Sequence, residues 1–350
     1  MVTRHSMTPA TSPGAGQRRR SLLRLSRAAL AAVGLTLMVL TGACSNLARV
    51  SDESIPRLLT PLSDSDFKAL VAQLEHFTSL QALRSTRVLI QFNDAESAER
   101  YRTADGVLVL QRPDKIRLII QVPVTGTQIA DMVSDANRFR VAIYTPQQYR
   151  RFLIGTNDAD YSRWREKLGR EGRSALVDAR PFHFTEALML RPLRLGEPGF
   201  VYTLGEELAV EPDRRQGAKR EARVLRSFYV ITEAELPAGG EAPGRVRRRF
   251  WFDRAAEARF ARQQIFDGRG SIVTDVEYAA YQKLNADHPA PWPGVVTVSR
   301  PHDGYSAKLT FSEGRFEINP ADLPETVFVL ENKEKLPETD LDKPEGSAAR

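Results

Sequence analysis

The side chains with which this 350-residue chain could do chemistry are few and scattered. His76, His183, His288 and His302 lie far apart. None sits in the His-Glu-x-x-His spacing that puts two imidazoles on one helical face to hold zinc. His183, in Pro181-Phe182-His183-Phe184, reads as a packed helix residue, and His302, before Asp303-Gly304, reads as part of a turn. Ser271 follows Gly270 in a hairpin signal, not at the strand-to-helix elbow that would expose a nucleophile. Asn157-Asp158-Ala159-Asp160 is acidic but lacks the spacing and the closing glutamate of a calcium loop. No phosphate loop or dinucleotide fingerprint is present. The expectation is a protein that is not an enzyme and that carries no metal and no cofactor. Cys44 is the single cysteine, so no disulfide can form within the chain. A lone thiol can be a core residue, a nucleophile or a site of modification, and its flanks decide.

Those flanks are distinctive. Arg18-Arg19-Arg20, Arg24 and Arg27 form a basic segment, followed by an uncharged apolar run from Ala28 to Val39 and then Leu40-Thr41-Gly42-Ala43-Cys44. The run falls short of the roughly 20 residues that span a bilayer, and has the length and flanks of a signal-peptide core. The stretch ending at Cys44 resembles the lipobox of bacterial lipoproteins, with Thr41 where leucine is commonest. The resemblance implies cleavage after Ala43, acylation of Cys44 and, with Ser45 following, placement in the outer membrane facing the periplasm. Several acyl chains anchor firmly where one would not. Six of the 50 basic residues and none of the 44 acidic ones lie in residues 1–43, so the rest is formally neutral. Charge therefore gives no reason to expect nucleic acid as a partner.

The elements beyond the anchor change period along the chain. Residues 44–62 read as a lipidated tether. Ser63-Asp64-Ser65-Asp66 offers helix N-caps, and Phe67, Leu70, Val71, Leu74 and Phe77 share one face, which predicts a helix from Asp64 to Leu83. The period then becomes two: Val88, Ile90 and Phe92; Ile116, Leu118 and Ile120; Phe139, Val141 and Ile143; Phe250 and Phe252; Ile272 to Tyr278; Tyr305 to Phe311. Such alternation marks antiparallel strands with one buried face. Ala104-Asp105-Gly106, Arg112-Pro113-Asp114, Asp267–Gly270 and His302-Asp303-Gly304 read as turns. Tyr161–Arg173 and Asp178–Leu190 are helical candidates. The charged, proline-containing residues 331–350 read as a disordered tail. The prediction is a mainly β domain over 63–330: a half-open, strongly curved antiparallel β-barrel of about 10–11 strands, closed by helices.

The order of short features along that domain carries a family resemblance. It runs Gly106-Val-Leu-Val-Leu-Gln-Arg112-Pro113, Lys115-Ile116-Arg117, Pro123, Val133-Ser134-Asp135 and Tyr144-Thr145-Pro146. Later come Phe250-Trp251-Phe252-Asp253, Gly270 to Asp275 and Asn319-Pro-Ala-Asp-Leu-Pro324. In this order the chain resembles the lipoprotein-localisation carriers LolA and LolB over roughly Asp64 to Leu330. It departs from them where Ile116 and Leu118 replace aromatic residues, and in its long charged middle.

The resemblance implies an apolar cavity for acyl chains inside an incomplete barrel, with Arg117 facing it and bonding the backbone of the lid. The alternation leaves the register open. Either Ile116, Leu118 and Ile120 line the cavity and Arg117 points outward, or Arg117 points inward and Ile119 joins it. The expected partners are a covalent lipid, a bacterial membrane, and acyl chains or other lipoproteins. The alternative is an interaction lipoprotein that holds an envelope assembly without a lipid ligand. The arginines around Arg247 and Arg249, on one face with Trp251, offer either a solvated surface or a contact for anionic headgroups.

Overall fold

The computed structural model of the chain describes residues 56–94, 103–157, 180–237, 239, 243–283 and 290–343. Ala43, Cys44 and the helical candidate Tyr161–Arg173 lie outside the described residues. From Arg57 onward the chain forms one compact unit.

Period-two alternation builds most of it. The first half contributes β1 (Arg57–Leu58), β2 (Ala82–Asp94), β3 (Ala104–Gln111), β4 (Lys115–Gln121), β5 (Gln128–Ser134), β6 (Arg138–Ile143) and β7 (Arg151–Thr156). The second contributes β8 (Phe200–Pro212), β9 (Arg223–Glu235), β10 (Arg245–Asp253), β11 (Arg259–Phe266), β12 (Ile272–Gln282), β13 (Trp292–Arg300) and β14 (Tyr305–Phe311). The short strands β15 (Phe316–Ile318) and β16 (Glu338–Asp340) follow. All sixteen belong to one sheet, in the order β8-β9-β10-β11-β12-β13-β14-β2-β3-β4-β5-β6-β7-β16. β15 adds to one end of β2. β1 pairs with β9 at Val224 and Leu225, where β8 already holds the other side and β10 has ended.

Among the described residues only the β1–β9 and β16–β7 pairs are parallel. The two ends of the sheet, β8 and β16, do not pair with each other. The result is an open curved sheet of sixteen strands, where a half-open barrel of about 10–11 strands was expected. The additional elements include the two- and three-residue strands, too short to show a period, and β8, most of whose residues are exposed.

Two helices among the described residues cover the concave face. The first, α1 (Phe67–Thr78), starts where the Asp66 carboxylate accepts from the Ala69 amide at 2.8 Å and buries Leu70, Leu74 and Phe77. It stops well before Leu83, the expected end. There the Asn319 side-chain oxygen accepts from the amides of Gln81 and Ala82 and turns the chain into β2. The second, α2 (Pro181–Leu188), lies within the expected Asp178–Leu190 and buries Phe184, Ala187 and Leu188. It packs on β4, β5 and β13, whereas α1 packs on β11.

The main apolar cluster fills the space between helices and sheet. Phe77 of α1 meets Phe260, Tyr278 and Trp292 with ring centroids 5.0–5.8 Å apart, so aromatic rings fill the β11–β13 side. A second cluster lies on the opposite, convex face, where Phe328, Leu330 and Leu336 cover Val109, Val133, Ala142 and Phe152.

Two expectations are corrected at the ends of the domain. Residues 57–62 are not free tether, because β1 is part of the sheet and the Leu59 amide donates to the Leu225 carbonyl. Residues 331–343 are not a disordered tail: Leu336 is buried, and β16 pairs along β7. Their charge and proline content outweighed, in the sequence, one apolar anchor and a strand of three residues. Ala104-Asp105-Gly106, expected as a turn, begins β3. Glycine is required there because a Cβ on Gly106 would stand 2.6 Å from Ile90 Cδ1 and 2.9 Å from the Ile119 carbonyl oxygen. Among the described residues no helix is long and apolar enough to cross a membrane.

Candidate functional site

The candidate site is the concave face beneath α2, together with the side chains that hold α2 there. β4 supplies its floor. Ile116, Leu118 and Ile120 point inward with at most 2% of their surface exposed and join the main cluster with Phe184 and Leu188 of α2. The period-two reading therefore placed all three on the buried face. They are packed against other side chains and form a filled interior under α2.

Arg117 points the other way, as strand alternation requires. Its guanidinium pairs with Asp131 through two bonds of 2.7 and 3.1 Å, and Nη1 donates to the Val327 carbonyl at 2.8 Å. It does bond backbone, but on the convex face, where it holds the carboxyl-terminal segment. The placement of Arg117 toward the cavity is thus corrected, and with it the assignment of Ile119 to the lining.

The arginine that bonds the covering helices is Arg112, just past the end of β3. It donates to the carbonyls of Phe77 and Leu80, at and beyond the end of α1, and to Leu190, beyond α2. Burial pushes its pKa below the usual arginine value, which marks the desolvation it accepts there. Other sheet residues continue the grip on α2. Tyr278 Oη donates to the Ala187 carbonyl at 2.7 Å. Arg248 donates to the carbonyls of Arg191 and Pro192 at 2.7 and 3.0 Å. Tyr202 Oη accepts from the Arg194 amide at 2.6 Å and donates to Glu233.

The last carbonyls of a helix have no partner within the helix. Here Tyr278 takes the Ala187 carbonyl, and Arg112 and Arg248 take the carbonyls of Leu190, Arg191 and Pro192 in the segment that follows. An eight-residue helix has no independent stability in water, so α2 is held by this polar latch at its end and by apolar packing along its length.

The latch rests on a buried ion pair. Arg248 and Glu233 form two bonds, and their side chains are 10% and 2% exposed. Their remaining bonding capacity is taken up by Tyr202 and the backbone, which offsets the cost of removing both charges from water. Burial, and then the bond to Glu233, push the Tyr202 phenol up to about 12. Glu186 of α2 lies beside this pair and lines a cavity of about 140 Å³ with Arg191, Arg194, Arg247 and Arg248. Burial raises its carboxyl above the ordinary glutamate range, and the nearby arginines only partly oppose that.

His183 is buried on α2, and its Nδ1 is hydrogen-bonded to Tyr305 Oη, so it sits in the helix–sheet interface as a packed residue. Asp158 and Asp160 lie outside the described residues. Three of the four arginines of β10 meet acids: Arg247 with Glu235, Arg248 with Glu233 and Arg249 with Glu207. Arg249 and Arg262 also approach the Trp251 ring, 4.9 and 5.5 Å from its centroid. A larger open cavity of about 700 Å³ lies near Arg245, Arg249 and Arg269. Nothing in the sequence marks Arg112, Tyr202, Arg248 and Glu233 as a latch, although Arg112 belongs to a turn signal and to the family-like order of motifs. They stand in a turn, on an exposed edge strand and within basic or mixed runs.

No family model matches the chain, and no curated protein matches it. Among solved structures it is similar to a DUF1329 family protein from Desulfovibrio piger, with 13% identity over 74% of this chain and 94% of that one and a TM-score of 0.40. It is also similar to a LolA superfamily protein from Nitrosomonas europaea, with 9% identity over 76% of this chain and 99% of that one and a TM-score of 0.39. Both are distant likenesses.

Proposed function

We propose that this protein is a membrane-anchored, non-catalytic lipoprotein that takes lipid or lipoprotein acyl chains onto its concave face, beneath α2, in envelope lipid or lipoprotein transport. The carrying observation is the division of labour at α2. Phe184, Ala187 and Leu188 pack over a floor of Ile116, Leu118 and Ile120, with His183 bonded to Tyr305 among them, while Arg112, Arg248 and Tyr278 grip the backbone at and beyond the end of the helix. A cover of this kind can leave as a unit. When it does, it uncovers the apolar floor of Ile116, Leu118 and Ile120, and each CH₂ of an acyl chain laid there gains about 0.8 kcal/mol. The LolA/LolB-like order of motifs agrees with this reading. So does the lipobox-like stretch ending at Cys44, which supports an acylated amino terminus in the outer membrane.

The filled interior also favours a second reading, in which α2 never leaves and the protein is an interaction lipoprotein without a lipid ligand. Native mass spectrometry of the protein purified from its host membrane separates the two. Bound lipid, displaced by a fluorescent fatty acid, is the expected result. A protein that carries no lipid and binds no acyl probe would establish the second reading. Replacing Cys44 by Ser is expected to abolish metabolic labelling with a palmitate analogue; labelling that persisted would rule out the anchor at this cysteine.

A further inference from the structure

The sheet ends in a strand that is built like an interface. β8 runs for 13 residues and is paired with β9 along its whole length. Among the described residues nothing pairs with its other side. Half of its amides and carbonyls therefore face outward, and such an edge is a template for another strand. Natural edges are usually short or defended by lysine or an internal proline. This one is long, carries no lysine and has proline only at its last position, and its three glutamates, Glu206, Glu207 and Glu211, are paired with Arg254, Arg249 and Arg226 of the same chain.

Its side chains are also exposed in the wrong sense for a free surface. Pairing with β9 puts Tyr202, Leu204, Glu206, Leu208 and Val210 on the same face as the core residue Ile231. Leu204, Leu208 and Val210 are nevertheless 40%, 58% and 56% exposed. The apolar face of the sheet thus continues past the last covered strand and stops at an open edge.

We infer that β8 pairs antiparallel with β8 of a second copy, about a two-fold axis at Glu206, joining two sheets into one. The occupant is argued from the strand itself. Glu206 is the midpoint of Phe200–Pro212, so pairing about it engages every residue of the strand. That register sets Leu204 against Leu208 and Tyr202 against Val210, so the apolar positions of one copy meet the apolar positions of the other. A shift by one residue would set them against the opposite face.

Charge fits the same register. Two Glu206 carboxylates meet at the axis, but each is already bonded to Arg254 of its own chain and to Ser227. Glu207, on the other face, is paired with Arg249. Each Glu206 at the axis is thus held by an Arg254 that it shares with Asp64. This inference does not depend on acyl binding, because β8 lies at the end of the sheet and only Tyr202 belongs to the α2 latch.

The test uses the full chain in a non-ionic detergent. Sedimentation equilibrium should show a dimer. Leu208→Lys, at an exposed position, should weaken it at least ~10-fold without changing the circular dichroism of the folded chain. Cysteine trapping in a Cys44→Ser background then reads the register. Leu204→Cys chains mixed with Leu208→Cys chains should cross-link under mild oxidation, because those positions face each other, and neither variant should cross-link alone. A protein that stays monomeric to about 100 µM, where contacts worth even ~6 kcal/mol would be visible, overturns the inference. So does a dimer that survives Leu208→Lys and gives no mixed cross-link, since its interface is then elsewhere.

Discussion

At the scale of single residues, two arginines a few positions apart divide the work between the two faces of the sheet. Arg112 holds the covering helices, and Arg117 holds the carboxyl-terminal segment. Arg112→Ala leaves several buried carbonyls without a donor, and a loss of about 3 kcal/mol is expected in urea unfolding, with Arg112→Lys recovering only part because it cannot span three acceptors. Arg117→Met strands Asp131, whose side chain is 3% exposed, and a comparable loss of about 3 kcal/mol is expected. The two variants differ in the ligand readout. Affinity for an acyl probe, measured on folded protein, should not change in Arg117→Met, because its contacts lie on the convex face. A large change there would return Arg117 to the cavity side. Leu118→Ala, in the floor itself, is expected to cost about 2–5 kcal/mol. The alternation of Ile116, Leu118 and Ile120 made the floor legible in the sequence. It could not say which parity a lone arginine takes, because both parities of β4 are met by packed structure, on one side α2 and on the other the segment around Val327.

At the scale of elements, α2 is the part whose stability should respond to pH. Glu186 has a raised pKa in the folded protein, because burial disfavours its charged form. A raised carboxyl pKa means that the folded state holds the proton longer than the unfolded state does. Its contribution is therefore complete below the ordinary glutamate pKa and is lost as pH rises through the folded value. Glu186→Gln removes the ionisation. Its melting temperature relative to wild type should be lowest in acid, below about pH 4, and should climb as pH rises toward neutrality. A pH-independent difference would mean that Glu186 reaches solvent freely. The existence of α1 was readable from apolar spacing and α2 lay within a helical candidate, but their ends were not readable. α1 stops early because Asn319, some 240 positions away in the chain, captures the amides of Gln81 and Ala82, and no local pattern announces such a partner.

For the whole molecule, the open sheet is what allows a cover. A closed barrel leaves no edge and no side from which a helix can swing away, whereas this sheet ends at β8 and β16 without joining. The carboxyl-terminal segment protects one of those ends. Truncation after residue 330 removes β16 and Leu336, exposes the cluster around Phe152 and bares β7, so a lower melting temperature and a tendency to aggregate are expected. The β-dominated class was legible because long strands with one buried face write their alternation into the chain. The edges were not, because β1, β15 and β16 are too short to show a period and Gly205-Glu206-Glu207 interrupts the alternation of β8.

If α2 must release its latch before an acyl chain can enter, equilibrium titration of a fluorescent fatty acid into wild type and Tyr202→Phe side by side will separate the two proteins. The substitution keeps the ring and removes the hydroxyl that joins the Arg194 amide to Glu233. Losing that link should cost the closed state about 1 kcal/mol, raise the open fraction about five-fold, and tighten apparent binding by the same factor. Tighter binding by the less stable variant is the predicted result. Saturable binding of equal or lower affinity in Tyr202→Phe, or no binding by either protein, would contradict the account.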